Sequence, residues 1–199
     1  SYNKLWYNNN IKNNYKVILL AIVTLTLSSC AAAVIGGTAA GTGVAIGTDD
    51  RGTKSVFDDQ SLGNRAKDIA TAINSKGSYT ISSYNGIILL AGQVPTQSDK
   101  DKIYSSVKNM SGIKGVANYL EVGKNQSMGQ ISKDVYLTSS AKSRLIAQKD
   151  VNTNNIKVVT CNGVVYLMGA KAGSSTQISG AISGIKEIDG VKNVVNLIN

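Results

Sequence analysis

The sequence contains no histidine, the side chain that most often serves as a general base or a metal ligand. Histidine-based catalytic sites are therefore excluded. The adjacent carboxylates Asp49-Asp50 and Asp58-Asp59 lie in linker-like or helix-start segments, where such pairs are usually solvated. Gly41 to Gly47 is glycine-rich, but no strand precedes it, so it does not indicate a phosphate loop. We expect no enzyme, no metal site and no cofactor.

Cysteine is nearly absent as well, since the chain has only Cys30 and Cys161. If Cys30 is modified, Cys161 has no partner for an intramolecular disulfide. Cys161 lies in an apolar, strand-like run, which predicts a buried and unreactive thiol. Clusters of lysine and arginine are missing too, because these residues are scattered along the chain. That distribution argues against binding to nucleic acid.

A hydrophobic run long enough to cross a bilayer does not occur near the N-terminus. Val17 to Leu27 spans eleven residues, whereas a membrane-spanning helix takes about 20. The run fits a secretory signal, whose positive region is formed by Lys4, Lys12 and Lys16. The following Leu27-Ser28-Ser29-Cys30 resembles a lipobox, which implies cleavage of signal peptide 1–29 and acylation, as with palmitate, of Cys30. An uncleaved N-terminal anchor is the alternative.

Net charge is unevenly distributed along the chain that remains after removal of the predicted signal. Without residues 1–29 the net charge is +6, of which +2 lies in residues 49–129 and +4 in residues 130–199. An excess of positive charge on one half favours an anionic surface. Residues 31–48 have no charge and consist mainly of Ala, Gly and Thr, a composition that disfavours a stable helix. We interpret residues 30–57 as a pliant tether.

The rest of the chain is a tandem repeat, which decides the fold. Residues 86–92 (GIILLAG) align with residues 163–169 (GVVYLMG) at an offset of 77. Residues 112–118 align with 190–196 at an offset of 78, and Asp59 to Leu62 align with Asp134 to Leu137 at 75. Offsets that differ by so little indicate two copies of one unit with small insertions.

Each copy has the pattern helix, hairpin, helix, strand. Asn85-Gly86 and Asn162-Gly163 are strong hairpin signals, because both central positions of a type I′ turn take positive φ. Residues at helical spacing, all of them apolar except Gln148, predict the inner faces of the helices. For the first helices these are Leu62, Ala66, Ile69 and Ile73, and Leu137, Ala141, Leu145 and Gln148. For the second helices they are Tyr104, Val107 and Met110, and Ile178, Ile182, Ile185 and Ile188.

The ends of the copies follow from glycines and valine-rich runs. Gly112 and Gly190 are expected to stop the second helices, with Gly112 as the C′ residue. The final strands are predicted at Val116 to Val122 and Val191 to Ile198. A strand that returns through a helical crossover runs parallel to the strand before the helix. The expected fold class is α+β, with a mixed three-stranded sheet in each copy. Units this small bury little core, which favours docking of the two copies.

This pattern resembles the BON domain. The resemblance rests on a pair of glycines that frame an apolar strand in each copy, Gly86 with Gly92 and Gly163 with Gly169. A helix, a glycine and a valine-rich strand follow in both copies. Two copies behind a lipobox resemble the dual BON-domain outer-membrane lipoproteins that are associated with division and phospholipid, relatives of the osmotically inducible BON proteins. The predicted domains are BON domain 1 at 58–123, a linker at 124–130 and BON domain 2 at 131–199.

The resemblance implies a lipid-binding site on the first helix of the second domain. There the family inserts an aromatic side chain into anionic phospholipid, and the family's tryptophan falls on a tyrosine here. The site residues are Lys133, Tyr136, Ser140, Ser143 and Arg144. On a helical wheel they form a stripe beside the core row, and tyrosine favours the headgroup interface. Packing of Tyr136 against the other domain, with solvated cations, is the alternative.

The function implied is that of a non-enzymatic envelope lipoprotein. It would be anchored in the outer membrane with its domains facing the periplasm, bind phosphatidylglycerol or cardiolipin, and support outer-membrane integrity. The alternative is an adaptor in which the same helix or the exposed sheet binds an envelope protein, such as outer-membrane assembly machinery. Ala31 after Cys30 is in keeping with sorting to the outer membrane.

Overall fold

The computed structural model describes residues 53–199. The predicted signal, Cys30 and most of the predicted tether lie outside the described residues. The first copy consists of helix α1 (Thr53–Ile73), strands β1 (Ser78–Tyr84) and β2 (Ile87–Val94), helix α2 (Gln97–Lys108) and strand β3 (Gly115–Val122). The second consists of helix α3 (Met128–Ala147), a 3₁₀ turn (Thr153–Asn155), strands β4 (Ile156–Cys161) and β5 (Val164–Gly169), helix α4 (Ser175–Lys186) and strand β6 (Asn193–Ile198).

Each copy has one three-stranded sheet. The strand orders are β1-β2-β3 and β4-β5-β6, so the second strand of each hairpin is central. It pairs antiparallel with the first strand and parallel with the last, with Ile88 opposite Val116 and Val165 opposite Val194. The prediction of an α+β fold with two mixed sheets is confirmed.

The two hairpin turns have the same backbone geometry. Asn85 and Asn162 both have φ 52°, and Gly86 and Gly163 both have φ 81°. These are the positive values that a type I′ turn requires, and asparagine followed by glycine adopts them at the least steric cost. The turns are therefore built by local sequence in both copies.

Several element boundaries differ from those expected. Helix α1 begins at Thr53, inside the segment assigned to the tether, and α3 begins at Met128, inside the assigned linker. The start of α3 is set by Ser127, whose Oγ accepts a hydrogen bond from the Gln130 backbone N–H at 3.1 Å. Strand β6 begins at Asn193 rather than Val191.

The second helices end earlier than predicted. Helix α2 ends at Lys108 with Asn109 as its C-cap, so Gly112 is not the C′ residue and instead lies in a turn with φ 87°. The apolar spacing continues past the helix because Met110 and Ile188 are buried in the cores from the turns that follow α2 and α4. Helical periodicity therefore overestimated the lengths of both α2 and α4.

Each copy packs its two helices on one face of its sheet. The core of the first copy contains Leu62, Ala66, Ala70, Ile88, Leu90, Val94, Ile103, Val107, Met110 and Leu120. The core of the second contains Leu137, Ala141, Leu145, Ile156, Val158, Val165, Leu167, Ala172, Ile178, Ala181, Ile185, Ile188 and Val194. Alternate side chains of each central strand point into these cores, and the others point to the opposite face.

A third apolar cluster joins the opposite faces of the two sheets, so the expected docking is confirmed. Its buried members are Tyr84, Leu89, Ala91, Cys161, Tyr166 and Met168. The rings of Tyr119 and Tyr166 lie 5.1 Å apart, and the Tyr84 hydroxyl donates to the Asn155 carbonyl at 2.9 Å. Lys157 Nζ donates to the Ser83 carbonyl at 3.1 Å. The sheet faces therefore cover each other.

Cys161 lies in this cluster, and its burial, as predicted, makes its reactivity testable. Desolvation raises the pKa of the thiol to about 11, only partly offset by a hydrogen bond with Thr80. Because the thiolate is the nucleophile, maleimide should fail to label the folded chain from residue 31 onward at pH 7 and should label it fully in urea. A Ser106→Cys variant, altered at an exposed position of α2, should label at once. Rapid labelling of Cys161 in the folded protein would contradict the packing of the sheets.

Candidate functional site

Helix α3 is the element that carries the predicted site, and its inner side is fixed by the core. Leu137, Ala141 and Leu145 are buried against the second sheet. Their spacing of four residues keeps them on one side of the helix. The side chains on the other side of α3 are therefore turned away from the core.

Asp134 fixes the position of α3 over the hairpin. Its carboxylate is buried and accepts backbone N–H bonds from Asn162 at 2.6 Å and from Gly163 at 2.8 Å. Gln126 and Gln130 donate to the same carboxylate at 2.7 and 2.9 Å. A buried carboxylate with this many donors is well satisfied, and bonds to a charged acceptor are stronger than neutral ones.

Asp59 does the same in the first copy, which corrects the expectation that it is solvated. Its carboxylate is buried and accepts bonds from the N–H groups of Asn85 and Gly86 at 2.6 and 2.8 Å. Ser83 Oγ also donates to it at 2.8 Å. The sequence signal was the alignment of Asp59 with Asp134, since a carboxylate repeated in both copies indicates a shared structural role.

The structure brings four of the five predicted site residues to one groove. Tyr136, Ser140, Ser143 and Arg144 line an open cavity of about 410 Å³. Tyr136 is 62% exposed, so it does not pack against the other domain. Lys133 is exposed but is not among the lining residues. It lies beside Gly190, where an added methyl group would come within 2.5 Å of Lys133 Cε.

The opposite wall of the groove was not anticipated from the sequence. It is formed by Glu187, Ile188 and Asp189, from the turn between α4 and β6. Glu187 and Asp189 are exposed, and Ile188 is buried beneath them. These residues follow Arg144 by more than forty positions, so only the folded chain shows that two carboxylates face the predicted lipid site.

The outward face of α3 was also missed. Met128 is 77% exposed and Ile146 is 72% exposed, and with Tyr136 they are the large exposed hydrophobic residues of the second copy. Met128 and Ile146 are eighteen residues apart, or five turns, so they share one side of the helix about 27 Å apart. Continuing the helical wheel past the predicted stripe would have found them.

The charges of α3 flank this outward face. Lys133 and Arg144 lie on one side of it and Lys142 on the other, and all three are exposed. The one acidic residue of α3 is Asp134, which is buried. The helix therefore offers the solvent an apolar and hydroxyl-bearing strip with positive charge along both sides.

Helix α1 is a useful contrast, because it occupies the same place in the first copy. Its exposed aromatic residue is Phe57, at 61%. Acidic residues accompany it, since Asp58 and Asp68 are both exposed on α1. The two first helices therefore share a fold position and an exposed aromatic ring but differ in surface charge.

Comparison with known proteins identifies the repeat. The BON domain profile matches residues 61–124 and 133–199, which are the two structural copies. The chain belongs to the BON-domain family. BON domain 1 thus contains α1 and the first sheet, and BON domain 2 contains α3, the groove and the second sheet.

Similar proteins include outer membrane lipoprotein DolP of Haemophilus influenzae, which is 36% identical over 180 residues. That match covers 87% of this chain and 92% of DolP. A 21 kDa hemolysin of Actinobacillus pleuropneumoniae is 31% identical over 156 residues, 76% of this chain and 78% of its own. Osmotically-inducible protein Y of Escherichia coli is 33% identical over 112 residues, 55% of each chain.

Two further features bear on the chemistry of the described part of the chain. Among residues 53–199 the structure shows no helix with the length and apolar character needed to span a bilayer. In the same residues, no three cysteine, aspartate or glutamate side chains gather closely enough to ligate a metal ion.

Proposed function

We propose that this BON-domain protein is a non-enzymatic envelope lipoprotein that binds anionic phospholipid through α3 of BON domain 2. Acylated Cys30 would hold it on the outer membrane with its domains facing the periplasm, where it supports membrane integrity. The similarity to DolP, an outer membrane lipoprotein, supports the location. The lipobox supports the anchor, since it ends in Cys30.

The observation that carries the lipid contact is the outward face of α3. Tyr136, Met128 and Ile146 are exposed there, although large hydrophobic residues are usually buried. A helix that lies in a membrane interface has this composition: apolar residues on the buried side, and lysine or arginine beside them at the level of the phosphates. Lys133, Lys142 and Arg144 would meet those phosphates.

Magnitudes assign different roles to the acyl chains and the helix. Each buried methylene of an acyl chain contributes about 0.8 kcal/mol, so several chains on Cys30 anchor the protein without help. A lysine or arginine near an anionic leaflet adds about 1 kcal/mol. The helix is therefore too weak to be the main anchor, and its role is to favour anionic patches for a protein that is already tethered.

The structure also bears on the adaptor hypothesis. The sheet faces meet through Tyr84, Tyr166 and Met168, so this part of the sheets is not open to a partner. The helix faces are therefore the better supported surface for a protein partner. Failure to bind vesicles of pure lipid, together with crosslinking of one envelope protein in cells, would favour an adaptor.

The lipid contact can be tested by co-sedimentation with phosphatidylglycerol vesicles, using the chain from residue 31 onward so that acyl chains do not contribute. The Tyr136→Ala, Arg144→Ala variant should bind about tenfold more weakly or worse, because it loses an interfacial ring and a cation worth about 1 kcal/mol. Both side chains are exposed, so the free energy of unfolding should change little.

A matched control exists on α1. The Phe57→Ala, Lys67→Ala variant removes an equally exposed aromatic residue and an exposed cation from BON domain 1. It should bind vesicles like the unmodified chain. Equal losses in both variants would show nonspecific attraction, and unchanged binding by the Tyr136, Arg144 variant would refute α3 as the site.

A further inference from the structure

The groove beside α3 has walls of opposite charge. Arg144 lies on the α3 wall, and Lys133 lies nearby against Gly190. Glu187 and Asp189 lie on the other wall. Within residues 53–199 none of these four side chains forms an ion pair with another residue, so their charges are available to a ligand.

Two carboxylates are out of place in a groove that serves only an anion. Their repulsion offsets the attraction of Arg144 and Lys133, since like charges at a binding site disfavour association. Purely anionic headgroups therefore bind more favourably to the outward face of α3, because no exposed acidic residue lies there. The groove suits a ligand that carries both signs of charge.

We propose that the groove binds the headgroup of a phospholipid that has a primary ammonium next to its phosphate, such as phosphatidylethanolamine. This inference rests on the proposed function, because it assumes that α3 docks on a bilayer. The phosphate faces Arg144, and the Ser140 hydroxyl donates to it, whereas Ser143 Oγ donates to the Ser139 carbonyl at 3.1 Å. The ammonium faces Glu187 and Asp189, which accept its N–H groups.

Size and chemistry support this occupant. A cavity of about 410 Å³ is in the range of small-molecule sites. A primary ammonium has three N–H donors for the two carboxylates, whereas the trimethylammonium of a choline headgroup has none. The groove should therefore distinguish two headgroups that have the same net charge. Anionic lipid attracts α3, and the ethanolamine headgroup adds a separate contribution.

The test uses the full mature, acylated protein with Tyr136→Trp as a fluorescent reporter. The chain's one tryptophan, Trp6, lies in the predicted signal, so the reporter is alone in the mature protein. The protein is reconstituted into phosphatidylcholine vesicles with added phosphatidylglycerol, phosphatidylethanolamine or neither. Docking is followed by the blue shift of the emission and by quenching with brominated lipid.

Phosphatidylethanolamine should raise the docking equilibrium about fivefold over phosphatidylcholine alone, the change that about 1 kcal/mol produces. The Glu187→Gln, Asp189→Asn variant should lose this increase and should dock at least as well with phosphatidylglycerol. An Asp68→Asn, Asp101→Asn control neutralises two exposed carboxylates in BON domain 1 and should keep the increase.

The possible failures differ from one another. Equal docking with ethanolamine and choline lipids, or an increase that survives in the Glu187, Asp189 variant, overturns the headgroup assignment and leaves the phosphatidylglycerol contact intact. Docking with ethanolamine lipid but not with phosphatidylglycerol overturns the proposed anionic preference and supports the groove. No docking in any vesicle overturns both.

Discussion

Cys30→Ser is expected to abolish incorporation of fatty acid into the protein. If the lipobox is used, Cys30 carries all the acyl chains, and no other residue can replace its sulfur. In cells grown with an alkyne analogue of palmitate, the protein with the natural sequence should therefore be labelled and the variant should not, as judged by in-gel fluorescence. Mass spectrometry of the protein with the natural sequence should place the acyl chains on Cys30 after loss of residues 1–29.

The second cysteine provides the control. Cys161 is buried between the two sheets, so Cys161→Ser should keep the label at full intensity. In a further variant, residues 1–30 are replaced by an ordinary cleavable secretory signal. That protein should leave the membrane fraction, because the charges of α3 contribute about 1 kcal/mol each and cannot replace acyl chains. An unmodified Cys30 in envelope protein would disprove the anchor.

Asp134→Asn is expected to destabilise the chain from residue 31 onward by about 3 kcal/mol. An asparagine has one acceptor atom and one donor group where the carboxylate has two acceptors. The N–H of Asn162 or of Gly163 is then left without a partner, and each unsatisfied buried donor costs about 1–3 kcal/mol. The free energy of unfolding in urea measures the loss.

Asp189→Asn is the matched control, since the same substitution at an exposed carboxylate should change stability by less than about 0.5 kcal/mol. Asp59→Asn should repeat the loss in BON domain 1, because Asp59 accepts the corresponding pair of turn N–H groups. A loss below about 1 kcal/mol at Asp134 would show that the hairpin holds α3 by its apolar contacts alone.

The two predictions separate attachment from recognition. The first prediction assigns attachment to the membrane to Cys30, and the second assigns the correct position of α3 to Asp134. The chain from residue 31 onward lacks Cys30 and should still bind phosphatidylglycerol vesicles through α3. Asp134→Asn should weaken that binding only as far as BON domain 2 unfolds, so binding should recover when stability is restored at low temperature.

Local sequence determined much of this protein. Asn85-Gly86 and Asn162-Gly163 adopt the expected turns because steric limits on φ act within two residues. The helix, hairpin, helix, strand order followed from periodicity and from the repeat, and the parallel pairing of β2 with β3 followed from the crossover rule. The resemblance to the BON family, not spacing, pointed to the helix that carries Tyr136 and Arg144, and helical spacing then placed both residues on one side of it.

The tertiary structure decided what distant segments do to one another. Asp59 is buried because a turn about 26 residues away supplies its donors, and no local rule distinguishes it from the exposed Asp58. Glu187 and Asp189 reach the groove only because the turn after α4 packs beside α3. The sequence by itself established the elements and their faces, since those depend on short-range geometry. Which faces are covered, and which charges meet, depends on contacts between residues far apart in the chain.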